Sequence, residues 1–147
     1  MKLNIDCVRD IMLWVESITT PTKLASYVNT DAVNSDKGFL YINADDIPMP
    51  SAEQKELLKK YSNETLVYHL RYCVEAKLLT EFDSPDGNVI LIKDLTPLGH
   101  DFIGNIRHDP IFQKVKTVLN LLGVKTLEAA TQASSLVVTE IIKKAIS

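Results

Sequence analysis

Cysteine, histidine and long apolar segments are scarce in this chain, and each shortage excludes a class of protein. The 2 cysteines, Cys7 and Cys73, form no paired motif, so we expect reduced core thiols rather than the disulfide framework of a secreted domain. The densest apolar runs, IMLWV and VILI, are far shorter than the roughly 20 residues that a membrane helix needs. Charged residues within the first ten positions also interrupt the apolar stretch of a signal peptide. We therefore expect a cytoplasmic protein without a membrane segment.

The chain also lacks an excess of basic residues. Its 16 Lys and Arg residues stand against 19 Asp and Glu residues, which gives a formal net charge of -3. Bulk positive charge, which commonly supports non-specific nucleic-acid binding, is therefore missing, and DNA would need a local basic patch. The remaining composition, 46% hydrophobic and 24% charged over 147 residues, is that of an ordinary globular protein with one domain.

Motifs of common enzymes and metal sites are missing as well. Neither G-x-S-x-G nor G-x-G-x-x-G occurs, and segments 99–104 and 123–126 lack the Gly-Lys-Ser/Thr ending of a phosphate loop. His100 and His108 have no neighbouring Cys or carboxylate at the spacing of a zinc site. We expect no catalysis, no metal and no cofactor.

Apolar spacing and capping residues predict most of the helices. Ser51 and Ser62 are placed to cap helices, and proline follows Thr96 and Asp109 at the first helical position. Gly123 marks a helix end, and Thr126 is an N-cap for a last, amphipathic helix. The predicted helices cover residues 4–18, 51–60, 62–78, 97–106, 110–122 and 126–146.

Strand signals are fewer. FLYIN at 39–43 predicts a short strand, and Asp86-Gly87 between two β-prone runs predicts a hairpin over 80–93. Residues 19–38 are rich in Thr, Ser, Asn and Asp, which favours a loop with one short helix around Lys23 to Val28.

This order of elements is that of a winged helix-turn-helix, in which the first strand joins the hairpin in a three-stranded sheet and the hairpin forms the wing. The predicted fold class is α+β, mainly α, with a winged helix-turn-helix core over 1–95. Within it, 19–50 is a loop-rich insertion containing a short strand. Residues 96–147 form a C-terminal helical extension, in the same domain or as a dimerisation arm.

Two stretches carry a resemblance, YSNETLVYHLRYCVEAKLL and LTPLGHDFIGNIRHDPIFQKVK. They resemble an uncharacterised bacterial and prophage family, domain of unknown function 2513, and the wider pattern is similar to bacterial winged-helix regulators. The resemblance covers residues 1–18 and 61–122, and the run from Leu95 to Phe102 is its most specific part. Lys77 departs from the pattern because the family commonly has Gly there. The resemblance supports the fold and a phage or prophage association, and it implies no activity.

The helix predicted over 62–78 occupies the recognition position of such a fold, and a helical wheel places most of its polar side chains opposite the apolar side. Three alternatives stay open: the tyrosines pack on the wing or the first helix, Arg71 pairs with Glu75, and His69 is a hydrogen-bonded residue at the core edge. The candidate DNA-binding or partner-binding residues are Thr65, Tyr68, His69, Arg71 and Tyr72.

Two functions fit these residues. We favour a DNA-binding regulator of phage or prophage type that contacts double-stranded DNA, and the alternative is a protein-protein interaction adaptor that uses the same surface without DNA. Between 51 and 93 the chain has 6 basic and 7 acidic residues, a net of -1, and the wing is acidic, which counts against DNA. The apolar stripe of the C-terminal helix would also suit a homodimer.

Overall fold

The computed structural model describes residues 1–36, 43–83 and 87–147 of the chain. Seven α-helices and three strands are found in these ranges. In chain order they are α1 (Ile5–Ile18), β1 (Ala25–Val28), α2 (Thr30–Asp36), α3 (Ala52–Lys60), α4 (Asn63–Glu75), β2 (Leu79–Phe82), β3 (Val89–Leu95), α5 (Pro97–Ile106), α6 (Asp109–Leu122) and α7 (Leu127–Ile146). The mainly helical α+β class is confirmed.

Side-chain caps begin six of the helices, and four of these caps are the predicted residues Ser51, Ser62, Thr96 and Thr126. In each case the hydroxyl accepts a hydrogen bond from a backbone N–H in the first helical turn, which satisfies a donor that has no partner within the helix. Asn4 does the same for α1 through its side-chain oxygen. Cap chemistry is local, and the starts of these four helices could therefore be predicted.

The end of α4 lies at Glu75, three residues before the predicted end at 78. There Lys77 adopts a φ of 62°, the N–H of Lys77 bonds to the carbonyl of Val74, and the N–H of Leu78 bonds to that of Cys73. These two bonds define a Schellman turn, which usually has glycine at the left-handed position. The turn from helix to sheet is therefore made despite the absence of glycine.

A three-stranded sheet was predicted and is found, antiparallel and in the order β1-β3-β2, but its first strand differs from the predicted one. Ala25 pairs with Ile92 and Val28 with Val89, so the short helix expected around Lys23 to Val28 is wrong. Pairing with β3 decides the conformation of this segment, because it buries Ala25 and Val28. The strand predicted at 39–43 falls on residues outside the described ranges, except for residue 43, which is in no strand.

Residues 30–36, predicted as loop, form the helix α2. The side chain of Asn29 accepts a hydrogen bond from the N–H of Ala32, and its carbonyl accepts one from Val33, so Asn29 begins the helix. The helix contacts α4 and becomes one wall of the site described below.

One cluster of buried side chains joins the first 95 residues to the C-terminal helices. It includes residues of α1, all three strands and α3 to α7. Cys7 and Cys73 lie in it as free thiols, and burial raises the pKa of Cys7 to about 12 and raises that of Cys73 as well. Within the described ranges, no helix has the length and apolar character needed to cross a membrane.

A close contact fixes α5 against the turn that follows α4. The N–H of Thr96 bonds to the carbonyl of Leu78 at 3.0 Å, and the Thr96 hydroxyl donates to the carbonyl of Lys77 at 2.6 Å. Gly99 lies so near this turn that a Cβ atom there would be 2.1 Å from the Leu78 oxygen. The glycine of the L-T-P-L-G-H run is therefore required by packing.

Candidate binding site

A groove of about 660 Å³ lies between α2 and α4, and most of the predicted binding residues meet there. The wall from α4 carries apolar, aromatic and charged side chains, and the wall from α2 is short and polar. The lining residues are Asn29, Asp31, Ala32, Ser35, Asn63, Glu64, Val67, Tyr68, Arg71, Tyr72 and Glu75.

Asn63, the first residue of α4, ties the two walls together from a buried position. Its amide nitrogen donates to Asn29 Oδ1 at 2.9 Å and to Asp31 Oδ2 at 3.0 Å. Its oxygen accepts from the Tyr27 hydroxyl at 2.8 Å and from the N–H of Thr30 at 3.3 Å. All four hydrogen-bonding positions of the amide are therefore used, which holds α2 in a defined position on α4.

Gln54 fixes the strand that leads into α2. The buried side-chain amide of Gln54 accepts a hydrogen bond from the N–H of Val28 at 2.9 Å and donates to its carbonyl at 2.8 Å. This pair of bonds replaces a neighbouring strand at the outer edge of β1, where backbone groups would otherwise be unpaired. The edge next to the groove is therefore closed to strand addition at Val28.

Tyr68, Arg71 and Tyr72 form the exposed floor of the groove. The two tyrosine rings are half-buried, with centroids 6.0 Å apart, while Arg71 is exposed. Within the described ranges, neither tyrosine hydroxyl makes a hydrogen bond and Arg71 forms no ion pair, so the alternative in which Arg71 pairs with Glu75 is not found. Their polar ends have no partner among the described residues and are available to a ligand.

His69 and Thr65, also predicted as binding residues, have structural contacts. His69 is fully buried; its Nε2 accepts from the N–H of Asn4 at 2.8 Å, and its Nδ1 lies 2.8 Å from the carbonyl of Thr65. These contacts require a neutral ring with the proton on Nδ1. His69 therefore joins α1 to α4 in the core and is not accessible to a ligand. The Thr65 hydroxyl bonds to Ser62 at the helix cap.

The charge of the groove is mainly negative. Its lining contains the carboxylates of Asp31, Glu64 and Glu75, all exposed, against the single guanidinium of Arg71. Outside the lining, Glu81 and Asp83 are exposed acids on the hairpin strand β2 and just after it. An approaching phosphate would meet repulsion along most of this surface, whereas a lysine or arginine of a ligand would meet attraction.

The groove offers groups that can hold a ligand. Its aromatic floor offers apolar area and faces for cations, and the carboxylates offer hydrogen-bond acceptors. Among the described residues, no group of three His, Cys, Asp or Glu side chains is arranged to hold a metal ion.

Sequence reasoning missed α2, and with it the second wall of the groove. The usable signal was Asn29 followed by Thr30 and Asp31, a helix cap with an acid in the first turn. It was hidden by the surrounding Thr, Ser and Asn residues, which also favour loops.

A family model described as "Hypothetical protein (DUF2513)" matches residues 2–125, which confirms the resemblance carried by 1–18 and 61–122. The match includes every element from α1 to α6, hence both walls of the groove, and ends before α7. Comparison with curated proteins and with solved structures finds no match.

Proposed function

We propose that this chain, which belongs to the DUF2513 family of hypothetical proteins, is a non-catalytic protein-protein interaction adaptor. In this proposal the groove between α2 and α4 holds a segment of another protein that combines an apolar or aromatic side chain with lysine or arginine. The observation that carries the proposal is an aromatic floor with unpaired polar ends inside an acidic rim.

The floor residues are of the types that dominate binding energy in protein interfaces. Tyrosine and arginine are, with tryptophan, the residue types most enriched among interface hot spots, and the floor contains Tyr68, Tyr72 and Arg71. The tyrosine rings are already held on a helix, so little conformational entropy is lost when a ligand packs on them. A short segment could therefore obtain useful affinity from a small contact area.

The acidic rim sets the charge of the partner. A lysine or arginine placed beside Asp31, Glu64 or Glu75 would be attracted, and a cationic group over a tyrosine face gains further stabilisation. Arg71 would meet a carboxylate or a backbone carbonyl of the segment. We therefore expect a partner segment with net positive charge.

A winged-helix arrangement is part of the proposal and is supported by the order of elements and by the sheet order β1-β3-β2. In it, α3 and α4 form the helix-turn-helix pair, and β2 with β3 forms the wing. A major groove of about 12 Å admits one helix. Because α2 lies beside α4 on the face that carries Tyr68, Arg71 and Tyr72, that face could enter DNA only if α2 moved away.

We place the adaptor in the cytoplasm. Its free thiols, Cys7 and Cys73, are buried without a disulfide, which suits a reducing compartment.

Selection of peptides from a random display library tests the adaptor function. Binders should be enriched in Lys or Arg next to an aromatic or aliphatic residue, and Tyr72→Ala should abolish capture. Glu64→Lys should weaken it, and Lys59→Ala, an exposed change on α3, should leave it unchanged. If the selected peptides were captured equally well by the Tyr72→Ala and Glu64→Lys variants, the groove would not be the binding site.

The second candidate function is that of a DNA-binding regulator of phage or prophage type that contacts double-stranded DNA. One observation favours it. The helix that precedes α4 exposes Lys55, Lys59 and Lys60, and the corresponding helix of a helix-turn-helix crosses the phosphate backbone. Fluorescence anisotropy of a labelled mixed-sequence duplex over a salt series tests it. Affinity that falls steeply with salt and is lost in Arg71→Ala would favour DNA over the adaptor.

A further inference from the structure

A second surface, far from α2 in sequence, lies on the hairpin formed by α6 and α7. The two helices leave an apolar groove of about 810 Å³ between them. Val118 and Leu122 line it from α6, and Leu136, Val137 and Ile141 line it from α7. Leu122 and Leu136 are both 67% exposed, which is unusual for two large apolar residues on adjacent helices.

Only the part of α7 up to Val138 packs against the rest of the chain. Leu127, Ala130, Ala133 and Ser134 are buried, whereas every residue from Thr139 onward is exposed. The apolar spacing nevertheless continues through Ile141 into the exposed part. A helix whose apolar stripe extends beyond its own core needs a further surface to bury it.

The charges at this groove point to a second copy of the same chain. Its lining includes Lys114 from α6 and both Glu140 and Lys144 from α7, so one face carries both signs. Glu140 lies 3.9 Å from Lys143, and both side chains are mostly exposed. Because such an ion pair is weak, Glu140 is still available to a residue of another chain. A surface that carries both signs is complementary to itself when a two-fold axis places the acid of each copy beside a base of the other.

We propose that the α6–α7 groove is a homodimer interface in which the hairpins of two copies pack as a four-helix bundle. With a two-fold axis parallel to the helices of the hairpin, each residue lies at the same height along the axis as its counterpart in the other copy. Leu122 and Leu136 then pack on their counterparts, and Glu140 of each copy meets Lys114 or Lys144 of the other. Helix hairpins with one shared apolar face assemble in this way when two such faces meet.

Sedimentation velocity from about 1 to about 200 µM, a range that includes weak and moderate affinities, measures the assembly. We expect a concentration-dependent dimer of a 16.5 kDa chain. The dimer interface contains Leu136 from both copies, so Leu136→Ala truncates two side chains. This change should raise the dimer dissociation constant at least about tenfold. Leu98→Ala, at a residue 48% exposed on α5, is the matched control and should leave the constant unchanged.

A charge exchange tests the pairing itself. Glu140→Lys should weaken the dimer, the double variant Lys114→Glu/Lys144→Glu should weaken it as well, and a mixture of the two should form a heterodimer more tightly than either alone. Circular dichroism verifies that each variant is folded. A monomer at every concentration overturns the proposal, and so does a dimer that Leu136→Ala leaves intact or a mixture without preferred pairing.

Discussion

Two glycines of α5 provide a matched pair of substitutions with opposite predicted effects on stability. Gly99→Ala and Gly104→Ala make the same chemical change in one helix, and helix propensity alone would favour alanine at both by about 1 kcal/mol. They differ in surroundings: a Cβ at Gly104 meets no atom within 4 Å, whereas one at Gly99 would be 2.1 Å from the backbone oxygen of Leu78.

The contact at Gly99 must be relieved by moving backbone. Overpacking of this kind costs about 1–3 kcal/mol, and loss of the hydrogen bond from Thr96 to Leu78 adds about 1 kcal/mol. After subtraction of the propensity gain, we expect Gly99→Ala to lower the free energy of unfolding by about 1–3 kcal/mol. Gly104→Ala should raise it by about 0.5–1 kcal/mol.

Urea unfolding followed by circular dichroism measures both variants, with unchanged slopes required for a two-state comparison. The corresponding melting temperatures should differ in opposite directions from that of the wild type, by about 2–4 °C for each kcal/mol. If Gly99→Ala were as stable as the wild type, or if the two variants shifted together, the proposed contact between α5 and the α4–β2 turn would be wrong.

Three further predictions concern the turn, the thiols and the groove. Lys77→Gly should stabilise the protein by about 0.5–1 kcal/mol in urea unfolding, because glycine removes the left-handed strain, while Lys77→Ala keeps that strain and should be nearly neutral. Cys7 and Cys73 should not react with a thiol reagent at pH 8 until the chain unfolds, because burial raises their pKa and keeps them as thiols; rapid native labelling would contradict their burial. Asn63→Ala should lower the free energy of unfolding by about 1–3 kcal/mol, since the Tyr27 hydroxyl loses its acceptor inside the core; a neutral result would show that α2 is held by other contacts.

The parts of the fold that follow from local chemistry could be predicted from the sequence. Ser51, Ser62, Thr96 and Thr126 cap the helices that they were predicted to begin, and helical periodicity placed Tyr68, Arg71 and Tyr72 together on the outward face of α4. These features depend on residues one or two turns apart.

The parts that depend on distant partners were missed. The segment A-S-Y-V becomes a strand because β3 and the side chain of Gln54 pair with it, and neither lies near it in sequence. His69 was both a candidate binding residue and, in the alternative, a hydrogen-bonded residue at the core edge, and its contact with the distant N–H of Asn4 agrees with that alternative. The groove was missed for the same reason, since its second wall is held by Asn63.

We propose that the groove between α2 and α4 binds a segment of another protein and not DNA. Amide resonances of the ¹⁵N-labelled protein, titrated in parallel with a peptide from the display selection and with a mixed-sequence duplex at low salt, distinguish the two ligands. We expect the peptide to shift resonances of α2 and α4, with the largest changes around Tyr68, Arg71 and Tyr72, and the duplex to shift none. Shifts along α3, α4 and the wing with the duplex, reversed by salt, and none with the peptide, would contradict the claim.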